Sequence, residues 1–142
     1  MLAQLPQRDD KAGQGHFGAK RGGQKHNGID YACLPGTLIL APCDGRINKI
    51  GYPYGDAKYG GHNSESEERT LTYVQIVDEN GMRHRLFYVE PTASSRIVKK
   101  GDVIGVAMDV SLRYPSKTKP MTPHVHYEVM DSDDQHVDPA GF

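Results

Sequence analysis

The sequence predicts an antiparallel all-β domain, a barrel or a sandwich with long loops. Short apolar runs alternate with polar residues, as half-buried strands do. Turn signals recur between those runs. No segment carries a long helical period; only the region around Ser111 and Tyr114 has room for a helical turn.

Along the chain, residues 1–15 are polar and are expected to form an N-terminal arm, with one domain over 16–142. Phe17 to Gly23 is a glycine-rich turn region, followed by a strand candidate over 26–33. Pro35-Gly36 is a turn, 37–41 is β-prone, Pro42-Cys43-Asp44-Gly45 is another turn, and 46–50 alternates as a strand should. Residues 51–69 have little apolar content beyond Tyr52, Tyr54 and Tyr59 and read as a long loop, the kind that often walls a functional cleft. Strands are expected at 70–77 and 83–89, joined by a turn containing Asn80-Gly81, a good hairpin signal. Lys99-Lys100-Gly101-Asp102 turns into a strand at 103–107. A proline-bearing loop over about 109–122 precedes the alternating segment 124–130.

The 142 residues suffice for one core. Lys+Arg (17) against Asp+Glu (18) gives a net charge of −1, which excludes the basic face of a nucleic-acid binder. No apolar stretch approaches the roughly 20 residues that span a bilayer. The first ten residues have no apolar core or cleavage site of a secretory signal. The expectation is a monomer made in the cytoplasm, with no membrane or nucleic-acid partner. Cys33 and Cys43 form no CxxC pair, which argues against a thiolate zinc site; they read as two small buried thiols, with a hairpin disulfide as the alternative.

Histidine carries the chemistry. His26-x-x-x-Asp30 is a weak motif alone. His124-x-His126 is stronger, because on a strand both rings point to one face. Imidazole and carboxylate are good zinc donors, and three protein ligands with one open position characterise a catalytic zinc. His62, the acidic run 65–68 and His136 read as solvated surface, and His16 either flanks the site or is simply exposed. Tyr52, Tyr54 and Tyr59 are candidates for lining a peptide groove, or simply pack the loop down.

Residues 17–45 resemble the opening of the lysostaphin-type zinc endopeptidases: Phe17-Gly18, Arg21, His26-x-Gly28-Ile29-Asp30, Gly36-Thr37, Ala41 and Asp44-Gly45. The closing pattern is matched by Pro123-His124-Val125-His126-Tyr127-Glu128, and Lys100-Gly101-Asp102-x-Ile104-Gly105 fits between them. The resemblance covers about residues 16–130. It implies a barrel–sandwich hybrid with long loops around a zinc cleft, and zinc held by His26, Asp30 and His126. It implies His124 as an acid–base or transition-state histidine, and a bacterial cell-wall peptide as substrate. A module of this kind is similar to phage-borne lysins or virion enzymes that act on the wall.

One position departs from that family. A second histidine is expected in a Tyr-x-His segment, and Glu90 stands there in Phe87-Tyr88-Val89-Glu90-Pro91. Glu90 is the candidate replacement base. On an unbroken strand His84 shares its parity, but six residues put it about 20 Å away. The leukocyte chemotaxin branch of the same fold also lacks this histidine and acts in binding. A zinc-containing binding module is therefore the alternative to an enzyme.

Overall fold

The computed structural model describes residues 5–10, 13–21, 24–52, 71–110 and 122–142. Tyr54, Tyr59, His62, the run 65–68 and the expected turn at Ser111 and Tyr114 lie outside them. Two short hairpins come first: β1 (Asp9–Asp10) with β2 (Gly13–Gln14), and β3 (Lys20–Arg21) with β4 (Gln24–Lys25). Then follow β5 (Ile29–Ala32), β6 (Leu38–Leu40), β7 (Gly45–Gly51), β8 (Tyr73–Val77) and β9 (Arg83–Phe87). The last strands are β10 (Val89–Pro91), β11 (Ile97–Val98), β12 (Val103–Ala107), β13 (His124–Met130) and β14 (His136–Val137), before a 3-10 turn at Pro139–Gly141. Every pairing among them is antiparallel. Among the described residues no helix is long and apolar enough to cross a membrane.

A seven-stranded sheet runs β11-β7-β8-β9-β13-β14, with β5 also on β13. A three-stranded sheet runs β10-β12-β6. These are open sheets rather than a closed barrel. The register on β13 sorts side chains by face. Val125, Tyr127 and Val129, with Tyr31, Ile29, Leu86 and Ile76 of neighbouring strands, point into the core. Ile39, Val89, Ile104 and Ala107 of the smaller sheet meet them there. Each such side chain, fully buried, stabilises the fold by about 1.5–3 kcal/mol relative to exposure. The other face of β13 carries His124, His126 and Glu128, opposite Asp30 of β5 and Phe87 and Arg85 of β9.

The expected strand over 83–89 is two strands. Tyr88 has φ 69°, an uncommon conformation for a residue with a side chain. The carbonyl of Thr72 accepts from Tyr88 N at 2.8 Å and Val89 N at 3.2 Å, and Thr72 Oγ1 donates to Val89 O at 2.6 Å. The chain thus steps from the large sheet into the small one, and the shared parity of His84 and Glu90 does not survive the step.

The lead-in is tied to β5. Ala32 N donates to Pro6 O at 2.7 Å and Arg8 N to Asp30 O at 2.7 Å. Cys33 and Cys43 are unbonded, half-buried thiols packed against the core.

Candidate metal centre

Asp30 and His126 face one another because β5 and β13 pair at those residues. His26 precedes β5, and its ring is brought to theirs by a close backbone approach at Gly28. A Cβ there would lie 2.3 Å from Tyr127 O and 2.9 Å from the His126 ring, so the glycine of His-x-Gly-Ile-Asp is a packing requirement. The resulting donors form a near-equilateral triangle. His26 Nε2 is 3.0 Å from His126 Nδ1, His126 Nδ1 is 2.9 Å from Asp30 Oδ1, and His26 Nε2 is 3.1 Å from Asp30 Oδ1. Tetrahedral zinc with N and O ligands at about 2.0–2.1 Å separates them by about 3.3–3.4 Å. The residues fit such an ion with a few tenths of an ångström of expansion.

The hydrogen bonds on the outer side fix which atoms look inward. His26 Nδ1–H donates to the His16 carbonyl at 3.1 Å, leaving Nε2 for a metal. His126 Nε2–H donates to Glu128 Oε1 at 2.9 Å, which turns Nδ1 inward. Glu128 Oε2 in turn meets His136 Nε2 at 2.9 Å. His124 Nδ1–H donates to the Thr122 carbonyl at 2.7 Å, so its Nε2 is the acceptor, 3.7 Å from Asp30 Oδ2. Arg8 Nη1 donates to Asp30 Oδ2 at 3.1 Å, with both side chains buried.

The charges follow. Burial alone would raise the Asp30 carboxyl; hydrogen bonds from His126 and His26 outweigh it and hold Asp30 well below the carboxylate range. Burial opposes charge on His126, but its hydrogen bonds to Asp30 and Glu128 raise it to about 9. A metal must displace that proton. Burial lowers His124, against the pull of Asp30, so its imidazole is neutral at pH 7. A neutral, oriented imidazole beside a metal centre is equipped to move a proton.

Phe87 sets its ring edge-on to His126 with centroids 5.1 Å apart, and Tyr88 sets its ring edge-on to His124 at 5.6 Å. Glu90 is exposed on β10, paired with Val106. Among the described residues, no hydrogen bond or ion pair joins it to the three donors or to His124. Tyr52 is exposed just after β7. Arg8, Glu128 and Tyr88 join the site although no sequence motif assigns them a role in it, and His136, expected on the surface, joins it too. Glu128 had a signal, since it shares the strand parity of His126. His136 is half-buried against it.

A family profile for peptidase family M23 matches residues 24–139. The chain belongs to peptidase family M23. It is 28% identical over 125 residues to leukocyte cell-derived chemotaxin-2 of Mus musculus, covering 88% of this chain and 73% of that protein. The catalytic domain of lysostaphin, an antimicrobial peptidase from Staphylococcus simulans, superposes with a TM-score of 0.64 at 20% identity, over 99% of this chain and 93% of that one. A zinc-containing peptidase from Vibrio cholerae superposes with a TM-score of 0.58 at 21% identity, over 94% of this chain and 36% of that one. At these identities the two structures establish the M23 fold. M23 peptidases are zinc-dependent, and the donor triangle of this chain is of the kind such an ion requires.

Proposed function

We propose that this M23 chain is a zinc-dependent peptidoglycan endopeptidase, hydrolysing cross-link or stem peptides of the bacterial wall as phage-borne lysins and virion enzymes do. One observation carries the reading: three inward donor atoms about 3 Å apart, each held by an outer partner, beside a neutral histidine whose Nε2 is its acceptor nitrogen. His26 Nε2, His126 Nδ1 and Asp30 Oδ1 would hold the ion. Bound there, zinc supplies Lewis acidity, bringing the pKa of water to about 7 and polarising the scissile carbonyl.

The chain's own residues do the rest. Asp30 contributes one negative charge, shared with Arg8, so the centre keeps a net positive character toward a carbonyl oxygen. Glu128 locks the His126 ring. His124 takes a proton at Nε2 and returns it to the leaving amine, its Nδ1–H staying on Thr122. Tyr88 backs the His124 ring. Tyr52, with Tyr54 and Tyr59 of the same loop, is proposed to contact the peptide. Glu90 takes the second proton-handling role if its carboxylate reaches the reacting water from β10.

A zinc-containing binding module is the second reading. Glu90 in place of a histidine favours it, as does the likeness to chemotaxin-2. Turnover on purified peptidoglycan by the zinc-loaded chain separates the two. The enzyme reading expects His124→Ala to lose about 10²–10⁴-fold in kcat with zinc content unchanged. Absence of turnover on every wall type, with zinc bound, refutes it. Full activity in Glu90→Gln removes Glu90 from the mechanism and leaves His124 as the sole acid–base group.

A further inference from the structure

A second set of metal donors lies beneath the large sheet, away from the M23 centre. Cys43, Asp78 and His84 each place one donor atom within 4.8 Å of the others. They come from three separate places: the turn before β7, the turn after β8, and β9 itself. His84 pairs with Val129 and Ile76, so it projects to the core face, opposite to His126 and Glu128. It is three residues along β9 from Phe87, the partner of His126, or roughly 10 Å.

Each donor is held by the structure around it. Asp78 Oδ1 accepts from Asn80 N at 2.9 Å and Met82 N at 3.0 Å, which leaves Oδ2 turned to His84 Nε2 at 2.8 Å. The His84 ring is completely buried and clamped. Tyr127 stacks on it with centroids 5.9 Å apart, and Phe142 meets it edge-on at 5.1 Å. His84 Nδ1 lies 2.7 Å from Tyr127 Oη. That oxygen can accept from Nδ1–H, the arrangement that frees Nε2 for a metal. Lys100 N donates to Asp44 Oδ1 at 2.7 Å and fixes the turn that carries Cys43. Cys43 and Asp78 border a cleft of about 300 Å³ whose other walls include Asp44, Glu79 and Lys100; His84, fully buried, does not line it.

We infer that Cys43, Asp78 and His84 form a second zinc site, with its fourth position open to this cleft. The donor set selects the metal class. A thiolate with an imidazole and one carboxylate suits zinc and its borderline neighbours, whereas calcium and magnesium take oxygen ligands. Bonds of about 2.0–2.3 Å put tetrahedral ligands about 3.3–3.8 Å apart, so Asp78 and His84, now 2.8 Å apart, part by about half an ångström while the Cys43 sulfur moves in by at most about 1 Å. The ion takes the proton's place between Asp78 and His84 and staples two turns to β9. Among the described residues that line the cleft, Asp44 and Glu79 add negative charge beside the donors and Lys100 adds positive charge.

Cobalt(II) substitution of the purified full chain tests this independently of the M23 centre. A sulfur-to-cobalt charge-transfer band is expected in the near ultraviolet. Cys43→Ser loses the band and one equivalent of metal, while Cys33→Ser and His126→Ala keep the band. The unmutated chain gives a second readout that needs no variant to fold. Zinc slows alkylation of Cys43 at least about tenfold, because the bound thiolate is withheld from the reagent, and leaves Cys33 unaffected. A band that survives in Cys43→Ser, equal metal content in that variant and the unmutated chain, or alkylation of Cys43 at the same rate with and without zinc overturns the inference.

Discussion

Replacing Glu128 tests whether the outer partner of His126 governs the metal. Glu128 is buried, and its two carboxylate oxygens each lie 2.9 Å from a histidine Nε2, that of His126 and that of His136. Burial works against its ionisation, but the two histidines hold it ionised. Its charge makes His126 Nδ1 a better donor and fixes the ring in the plane that meets Asp30. Glu128→Gln keeps an oxygen for His126 Nε2–H and offers an amide N–H to His136, so the geometry survives and only the charge is lost. Glu128→Ala removes both. Outer-shell partners of metal-bound histidine are worth about 10–100-fold in affinity, or about 1.4–2.7 kcal/mol. The expected loss of zinc affinity is about tenfold for Glu128→Gln and nearer 100-fold for Glu128→Ala. Competition against a chromophoric chelator at pH 7 measures it, with thermal unfolding confirming that both variants fold. A Glu128→Ala variant that binds zinc within about twofold of the unmutated chain would refute the reasoning, since a structural carboxylate alone leaves the affinity in place.

Further outcomes follow from the same geometry. Tyr127→Phe strips a partner from the fully buried His84 and is expected to cost about 1–3 kcal/mol by urea unfolding, against near-neutrality for an exposed tyrosine. Gly28→Ala drives a methyl into Tyr127 O and the His126 ring, so it lowers zinc occupancy as well as stability, both read on one dialysed sample. The metal-free chain should be most stable near pH 6.5. His84 and His124 are held neutral mainly by burial, so their contribution is complete above about pH 6.5 and is lost as pH falls below it. His126 is raised to about 9, so its contribution is complete below about pH 6.5 and is lost as pH rises toward 9. A urea midpoint that climbs steadily from pH 6.5 to 9 in the metal-free chain contradicts this sign.

The strands were legible where polar and apolar residues alternate, even on β13, whose two faces are both largely buried. The alternation in β13 and the turn residues at 35–36, 42–45 and 80–81 reported directly on local geometry, whereas in β7 a register shift between Ile47 and Lys49 breaks the expected alternation and leaves Ile50 exposed. Four of the side chains that meet at the centre belong to patterns visible in the sequence: His26 and Asp30 sit in one short motif, and His124 and His126 share a face by parity. What stayed hidden depends on pairing between distant segments. The carbonyls of His16 and Thr122 fix two histidine tautomers, yet a backbone carbonyl leaves no mark in the sequence. Arg8 reaches Asp30 only because the lead-in docks on β5. The step at Tyr88 carries no glycine, proline or asparagine to announce it. It is imposed by Thr72, just before β8, whose carbonyl and hydroxyl capture the chain.

That step bears on the one residue that departs from the family pattern. Val89 is fully buried in the core and Glu90 pairs with Val106, so the pairing of β10 with β12 sets where the Glu90 side chain starts. The β13 register sets where His124 starts. The two positions belong to different sheets, joined at Tyr88, whose ring leans on His124. The proposed proton transfer therefore depends on the Tyr88 turn as much as on the identity of residue 90. A change at Tyr88 that straightened the chain would continue β9 in register, carry Val89 out of the core and turn its neighbours to the opposite faces. Burial of Val89 opposes that, and it is the apolar core, rather than any residue of the centre, that fixes where the Glu90 side chain starts.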